Sequence, residues 1–80
     1  MLKPVEKKRA YEDIVKQIRT LIEAGKLKRN DQLPSERELS ETFRVSRTTV
    51  REAIRTLEST KCLQSRQRKG TYVIASSEEA

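Results

Sequence analysis

Leu33-Pro34-Ser35-Glu36-Arg37-Glu38-Leu39-Ser40 and, after four more residues, Val45-Ser46-Arg47-Thr48-Thr49-Val50-Arg51-Glu52-Ala53 read as two helices joined by a tight turn. Ser35 and Glu38 have the spacing of a capping box. The serine hydroxyl accepts from the Glu38 backbone N–H, and the Glu38 carboxylate accepts from that of Ser35. A helix over 36–43 follows, with Leu39 and Phe43 one turn apart on its buried side. Arg44-Val45-Ser46 is too short for anything but a turn, and Ser46 is a good N-cap for the next helix. That helix runs from Arg47 to Thr60. At about 100° per residue, its apolar positions Val50, Ala53, Ile54 and Leu57 fall within about 100° of arc. Arg47, Thr48, Arg51 and Arg55 lie on the other side.

Upstream, Tyr11, Ile14, Val15, Ile18, Leu21 and Ile22 recur at three- and four-residue steps, which predicts a helix over 10–24 with Gly25 at its left-handed cap. Residues 1–9 are basic and apolar-poor and read as a mobile arm. Residues 25–34 place Leu27 and Leu33 around an Asn30-Asp31 turn, stopped by Pro34. Downstream, Cys62-Leu63 and Tyr72-Val73-Ile74 read as short strands. Gln64 to Gly70 is then a hairpin loop, with Gly70 giving the turn its backbone freedom. Residues 61–70 carry Lys61, Arg66, Arg68 and Lys69 and no acid. Residues 76–80, Ser-Ser-Glu-Glu-Ala, read as a linker towards a further domain. The expected fold over 10–75 is mainly α with a small β-hairpin: a winged helix-turn-helix of three helices plus a wing.

Composition narrows the function. Of 80 residues 38% are charged, with a net charge of +6 and a pI of about 9.8, which points to an anionic partner. Leu, Ile, Val and Phe together number 18, enough for one small core. The longest apolar run, Tyr72 to Ala75, is far short of the ~20 residues that span a bilayer. The N-terminus has no apolar h-region of a secretory signal. A single cysteine, Cys62, makes no internal disulfide, and the expected compartment is the cytoplasm. With no histidine, neither a His-dependent triad nor an ordinary zinc site is available. No catalytic residue, metal or cofactor is expected, and the chain is not read as an enzyme.

Such a fold has a physical use. The third helix can enter the major groove of duplex DNA N-terminus first. Arg47 and Arg51 can each donate two parallel hydrogen bonds to guanine O6 and N7. Thr48 and Thr49 can bond a phosphate or touch a thymine methyl, and the basic hairpin reaches the neighbouring minor groove or backbone.

The two blocks quoted first, together with Lys69-Gly70-Thr71-Tyr72-Val73, resemble the DNA-binding domain of the GntR family of bacterial transcription regulators over about residues 11–74. The resemblance implies DNA contacts from Arg37, Ser46, Arg47, Arg51, Lys69 and Gly70. With Thr48, Thr49 and Arg68 these make up the candidate site. It also implies a palindromic operator, a homodimeric parent protein, and a larger C-terminal domain that binds a small effector metabolite. The 80-residue chain would lack that domain and be monomeric off DNA. Two departures stand out. Arg29-Asn30 replaces the family's usual Pro-Gly, which Asn tolerates at positive φ. Lys61 and Arg68 replace glycines; Lys61 would strain a left-handed helix end, and Arg68 makes the wing more basic.

Plainer readings stand beside these. Arg37 could only pair with Glu41, and Arg47 and Arg51 could be a solvated face. Arg55 could pair with Glu52 or Glu58, and Glu52 could orient Arg55 or Arg51 or simply be solvated. Cys62, Tyr11 and Tyr72 read as core or core-edge residues. The rival function is a winged-helix protein-interaction module whose basic face meets an acidic partner. Membrane attachment is weaker, because Glu12, Asp13 and Glu23 interrupt the first helix's basic residues.

Overall fold

The computed structural model describes residues 7–75, and for residues 7–9 only the backbone. The expected linker at 76–80 and the first six residues of the expected arm lie outside the described residues. The elements are α1 (Lys7–Glu23), α2 (Glu36–Phe43), α3 (Arg47–Ser59), β1 (Leu63–Arg66) and β2 (Gly70–Val73). Helix α1 begins three residues before the expected position 10. Lys and Arg are good helix formers, but they carry no apolar stripe by which periodicity could place the start.

Local chemistry sets the helix ends. Gly25, at φ 76°, closes α1 in a Schellman motif, with its N–H on the Ile22 carbonyl at 3.1 Å and that of Lys26 on Leu21 at 2.9 Å. The capping box of α2 is present: the Glu38 N–H donates to Ser35 Oγ at 3.1 Å and the Ser35 N–H to Glu38 Oε1 at 3.4 Å. Ser46 caps α3, accepting from the Thr49 N–H at 3.2 Å. Helix α3 closes as α1 does, with the Lys61 N–H on Glu58 at 3.0 Å and that of Cys62 on Leu57 at 2.8 Å. Here the left-handed residue is Lys61, at φ 63°. A side chain in that conformation costs about 1–2 kcal/mol that glycine avoids. Asn30 (φ 77°) and Arg68 (φ 63°) are left-handed too, and so is Arg44 (φ 58°), in the turn between α2 and α3.

The core sits where α3 packs on α1, α2 and β1. All four apolar positions expected on α3 are buried, together with Ile14, Val15, Ile18 and Ile22 of α1, Leu39 of α2, and Leu33, Leu63 and Val73. Leu21, at the edge of the α1 stripe, is 38% exposed.

Strands β1 and β2 pair antiparallel, Leu63 opposite Val73 through Arg66 opposite Gly70. They reach further into the wing than expected. Gln64, Ser65 and Arg66 belong to β1, and Cys62 and Ile74 lie just outside the strands, joined by the Ile74 N–H on the Cys62 carbonyl at 3.0 Å. The outer half of β1 is polar and exposed, so it shows no apolar alternation by which sequence could reveal it. The other edge of β2 is also paired. Asn30 donates to Val73, Val73 to Asp31 and Leu33 to Thr71, each at 2.8 Å. Residues 30–33, expected as loop, thus tie the hairpin to the start of α2.

Candidate nucleic-acid interface

Arg47, Thr48, Arg51 and Arg55 are exposed on the outer face of α3, and no acid occupies its first turn. The unsatisfied backbone N–H groups and the helix dipole make that end electropositive.

Arg51 is held in place. Its Nε donates to Glu36 Oε2 at 2.8 Å and its Nη2 to Glu36 Oε1 at 2.9 Å. Glu36 is the first residue of α2, so the ion pair bridges α2 and α3. The carboxylate takes one edge of the guanidinium. One Nη1 hydrogen and the second Nη2 hydrogen point end-on, away from it. Glu52, read as orienting Arg55 or Arg51 or as simply solvated, is exposed and pairs with neither among the described residues; Glu36 holds Arg51. Nor is Arg55 ion-paired there with Glu58, whose Oε2 accepts from the Ser65 N–H at 3.0 Å and ties β1 to α3.

The Arg51 hydrogen bond lowers the Glu36 pKa, against a smaller opposing effect of burial and with further help from the charges of Arg51 and Arg47. The same pair raises that of Arg51. A carboxylate with a depressed folded pKa contributes stability above its unfolded pKa and loses it as pH falls through the depressed value. In an NMR titration the Glu36 side-chain carboxyl carbon should therefore titrate below the ordinary carboxylate range, and Arg51→Ala should move it back up. A Glu36 titration unaffected by Arg51→Ala would show that the pair does not form in solution.

Thr49 departs from its expected role. It is 7% exposed, and its Oγ1 lies 3.0 Å from Ser46 Oγ. Its side chain serves the cap of α3 and lies towards the inner side of the helix, whereas the expected phosphate or thymine-methyl contact would need it on the outer face. The signal was in the helical period: Thr49, Ala53 and Leu57 are four apart and share the inner side. Ser46 is exposed, although its hydroxyl also serves the cap. Arg37 is exposed on α2, its Nε 3.8 Å from Glu41 Oε2. In water such a pair contributes little and leaves the guanidinium available.

The wing presents Arg66, Arg68, Lys69 and Gly70, all exposed. Arg66 lies over the Tyr72 ring, 4.4 Å from its centroid, so this tyrosine serves the wing's own packing. At the tip the Lys69 N–H bonds the Arg66 carbonyl at 3.0 Å, with Arg68 left-handed before it and Gly70 at φ 104° after it. Among the described residues no His, Cys, Asp and Glu cluster could hold a metal ion, and no helix is long and apolar enough to cross a membrane.

Two helices at a tight turn, a third packed behind them and a hairpin with a basic tip define the winged helix-turn-helix class. The profile of the bacterial regulatory proteins of the gntR family matches residues 10–73, and the chain belongs to that family. It is 48% identical over 63 residues to the mannosyl-D-glycerate transport/metabolism system repressor MngR of Escherichia coli K12, covering 79% of this chain and 26% of that protein. It is 41% identical over 63 residues to the HTH-type transcriptional repressor NagR of Bacillus subtilis 168, with the same coverage of 79% and 26%. Among solved structures it resembles AraR(DBD) in complex with operator ORR3, with a TM-score of 0.77 and 39% identity over 80% of this chain and 77% of that one. The chain spans about a quarter of the length of the curated relatives it matches. Family and fold together make it a DNA-binding domain of a bacterial transcription regulator.

Proposed function

We propose that this chain is the operator-binding domain of a metabolite-responsive repressor or activator, and that α3 reads the operator. The observation that carries the reading is the Glu36 grip on Arg51. A guanidinium held by its Nε–Nη2 edge keeps an end-on fork of one Nη1 and one Nη2 hydrogen, which matches the O6 and N7 acceptors of guanine. Arg47, one turn earlier and also exposed, reads a second base. Thr48, Ser46 and Arg37 contact the backbone beside it, while Arg68, Lys69 and the main chain at Gly70 contact phosphate or the minor groove. Two copies bind a two-fold symmetric site, each through its own groove contacts, and stay apart off DNA. In the parent protein a C-terminal domain dimerises the pair and binds the effector, and the protein acts in the cytoplasm without catalysis of its own. The operator complex of AraR(DBD) and the repressor relatives favour DNA over an acidic protein as the partner.

Salt tests this reading. If about five phosphates are neutralised, the logarithm of the binding constant should fall against the logarithm of salt concentration with a slope of about −4 to −5. Fluorescence anisotropy on a labelled duplex measures it, and a slope near zero would reject DNA as the partner.

A further inference from the structure

Resting on the DNA-binding reading above, we infer that Gln32 is a positioning residue that latches the wing tip at a fixed place relative to α3. The exposed Gln32 amide donates from Nε2 to the Lys69 carbonyl at 2.7 Å, across 37 positions of sequence. Within the hairpin itself the Lys69 N–H bonds the Arg66 carbonyl at 3.0 Å, next to the Arg66–Gly70 pair of the ladder. That inner bond shapes the turn, but it cannot place the turn against the rest of the domain. Gln32 can, because its own backbone segment is fixed: the bonds from Asn30, Leu33 and Val73 hold residues 30–33 along β2.

Glycine at 70 is part of the same device. A Cβ at Gly70 would lie 2.7 Å from Gln32 Nε2, so the amide occupies the space a side chain would take. The φ of 104° there independently favours glycine. Four residues after Gln32, Glu36 grips Arg51, with Ser35 and its capping box between them. A short, hydrogen-bonded stretch of chain thus carries the tip at one end and the reader's guanidinium at the other. Gln32 sets the separation between wing contacts and helix contacts, so an operator is recognised with both engaged at once.

The test uses Gln32→Met, which keeps the length and loses the donor, and Gln32→Lys, whose ammonium can reach the same carbonyl. The Met variant should unfold within about 2–4 °C of the parent, the shift that a surface substitution gives in a domain of this size. Its affinity for a duplex selected by the wild-type chain should fall about fivefold, the size expected for one net hydrogen bond. In an Arg68→Ala, Lys69→Ala background that loss should shrink to less than about twofold, because a tip without its two cations has only its main chain left to place on the duplex. Amide exchange at Lys69 and Gly70 should quicken in the Met variant and slow again in the Lys variant.

An unchanged affinity for Gln32→Met, or the same fivefold loss in the wing-depleted background, would overturn the inference. The second result would mean that Gln32 touches DNA or acts on the fold at large. Wild-type chain that bound no duplex would instead defeat the DNA-binding reading. The exchange rates would then decide by themselves whether Gln32 holds the tip, unchanged rates overturning it.

Discussion

Leu57→Ala should lower the stability of this domain by about 2–5 kcal/mol, the cost of deleting a buried leucine and leaving a cavity. Leu57 has no exposure, and its helix is the one against which α1, α2 and β1 pack. A chain of 80 residues is held together by only about 4–12 kcal/mol in all, so the loss removes a large part of the total. Urea unfolding should show a lower midpoint with an unchanged slope. Leu21→Ala is the control: Leu21 is 38% exposed, and the change should stay nearer the ~0.5 kcal/mol of a surface site. Similar losses for the two variants would mean that the inner face of α3 is not the centre of the core. The helix proposed as the reader is also the main structural helix, one face holding the fold and the other facing out.

The second large effect concerns that outer face. Arg47→Ala and Arg51→Ala should each cost about 1–3 kcal/mol on the selected operator and much less on random duplex. Lys69→Ala should weaken both duplexes alike and flatten the salt slope by about one. Glu36 gives this prediction a finer form. Glu36→Gln leaves the guanidinium without its charged partner, so operator affinity should fall. Binding to random DNA should hold or rise, because a negative charge facing phosphate has gone. Competition binding with both duplexes reads the two effects at once. Parallel losses on both duplexes for Arg47→Ala, Arg51→Ala and Glu36→Gln would show that α3 does not read sequence.

What the sequence disclosed and what it hid divide along the range of the interaction. The Ser35–Glu38 box, the Ser46 cap and the stripe from Val50 to Leu57 are set by neighbours within a turn or two, and all were legible. The same holds for Gly25 and for the left-handed demand on Asn30. The Glu36–Arg51 pair spans 15 positions and depends on how α2 crosses α3, which no helical period contains. Residues 30–33 looked like loop because their pairing is to a strand some 40 positions away, made by backbone groups that every residue shares. Arg44 in the left-handed region was hidden for another reason: arginine carries no local preference for it, and the three-residue turn imposes it.

Sequence reading by α3 is tested most directly by selection from a pool of randomised duplexes with the wild-type chain, repeated with Arg47→Ala and Arg51→Ala. The wild type should enrich a short motif with guanines in its half-site, two-fold related to a second copy. Each arginine variant should lose preference at a different position of that motif. A pool that stays random, or one motif recovered unchanged by both variants, would contradict sequence reading by α3.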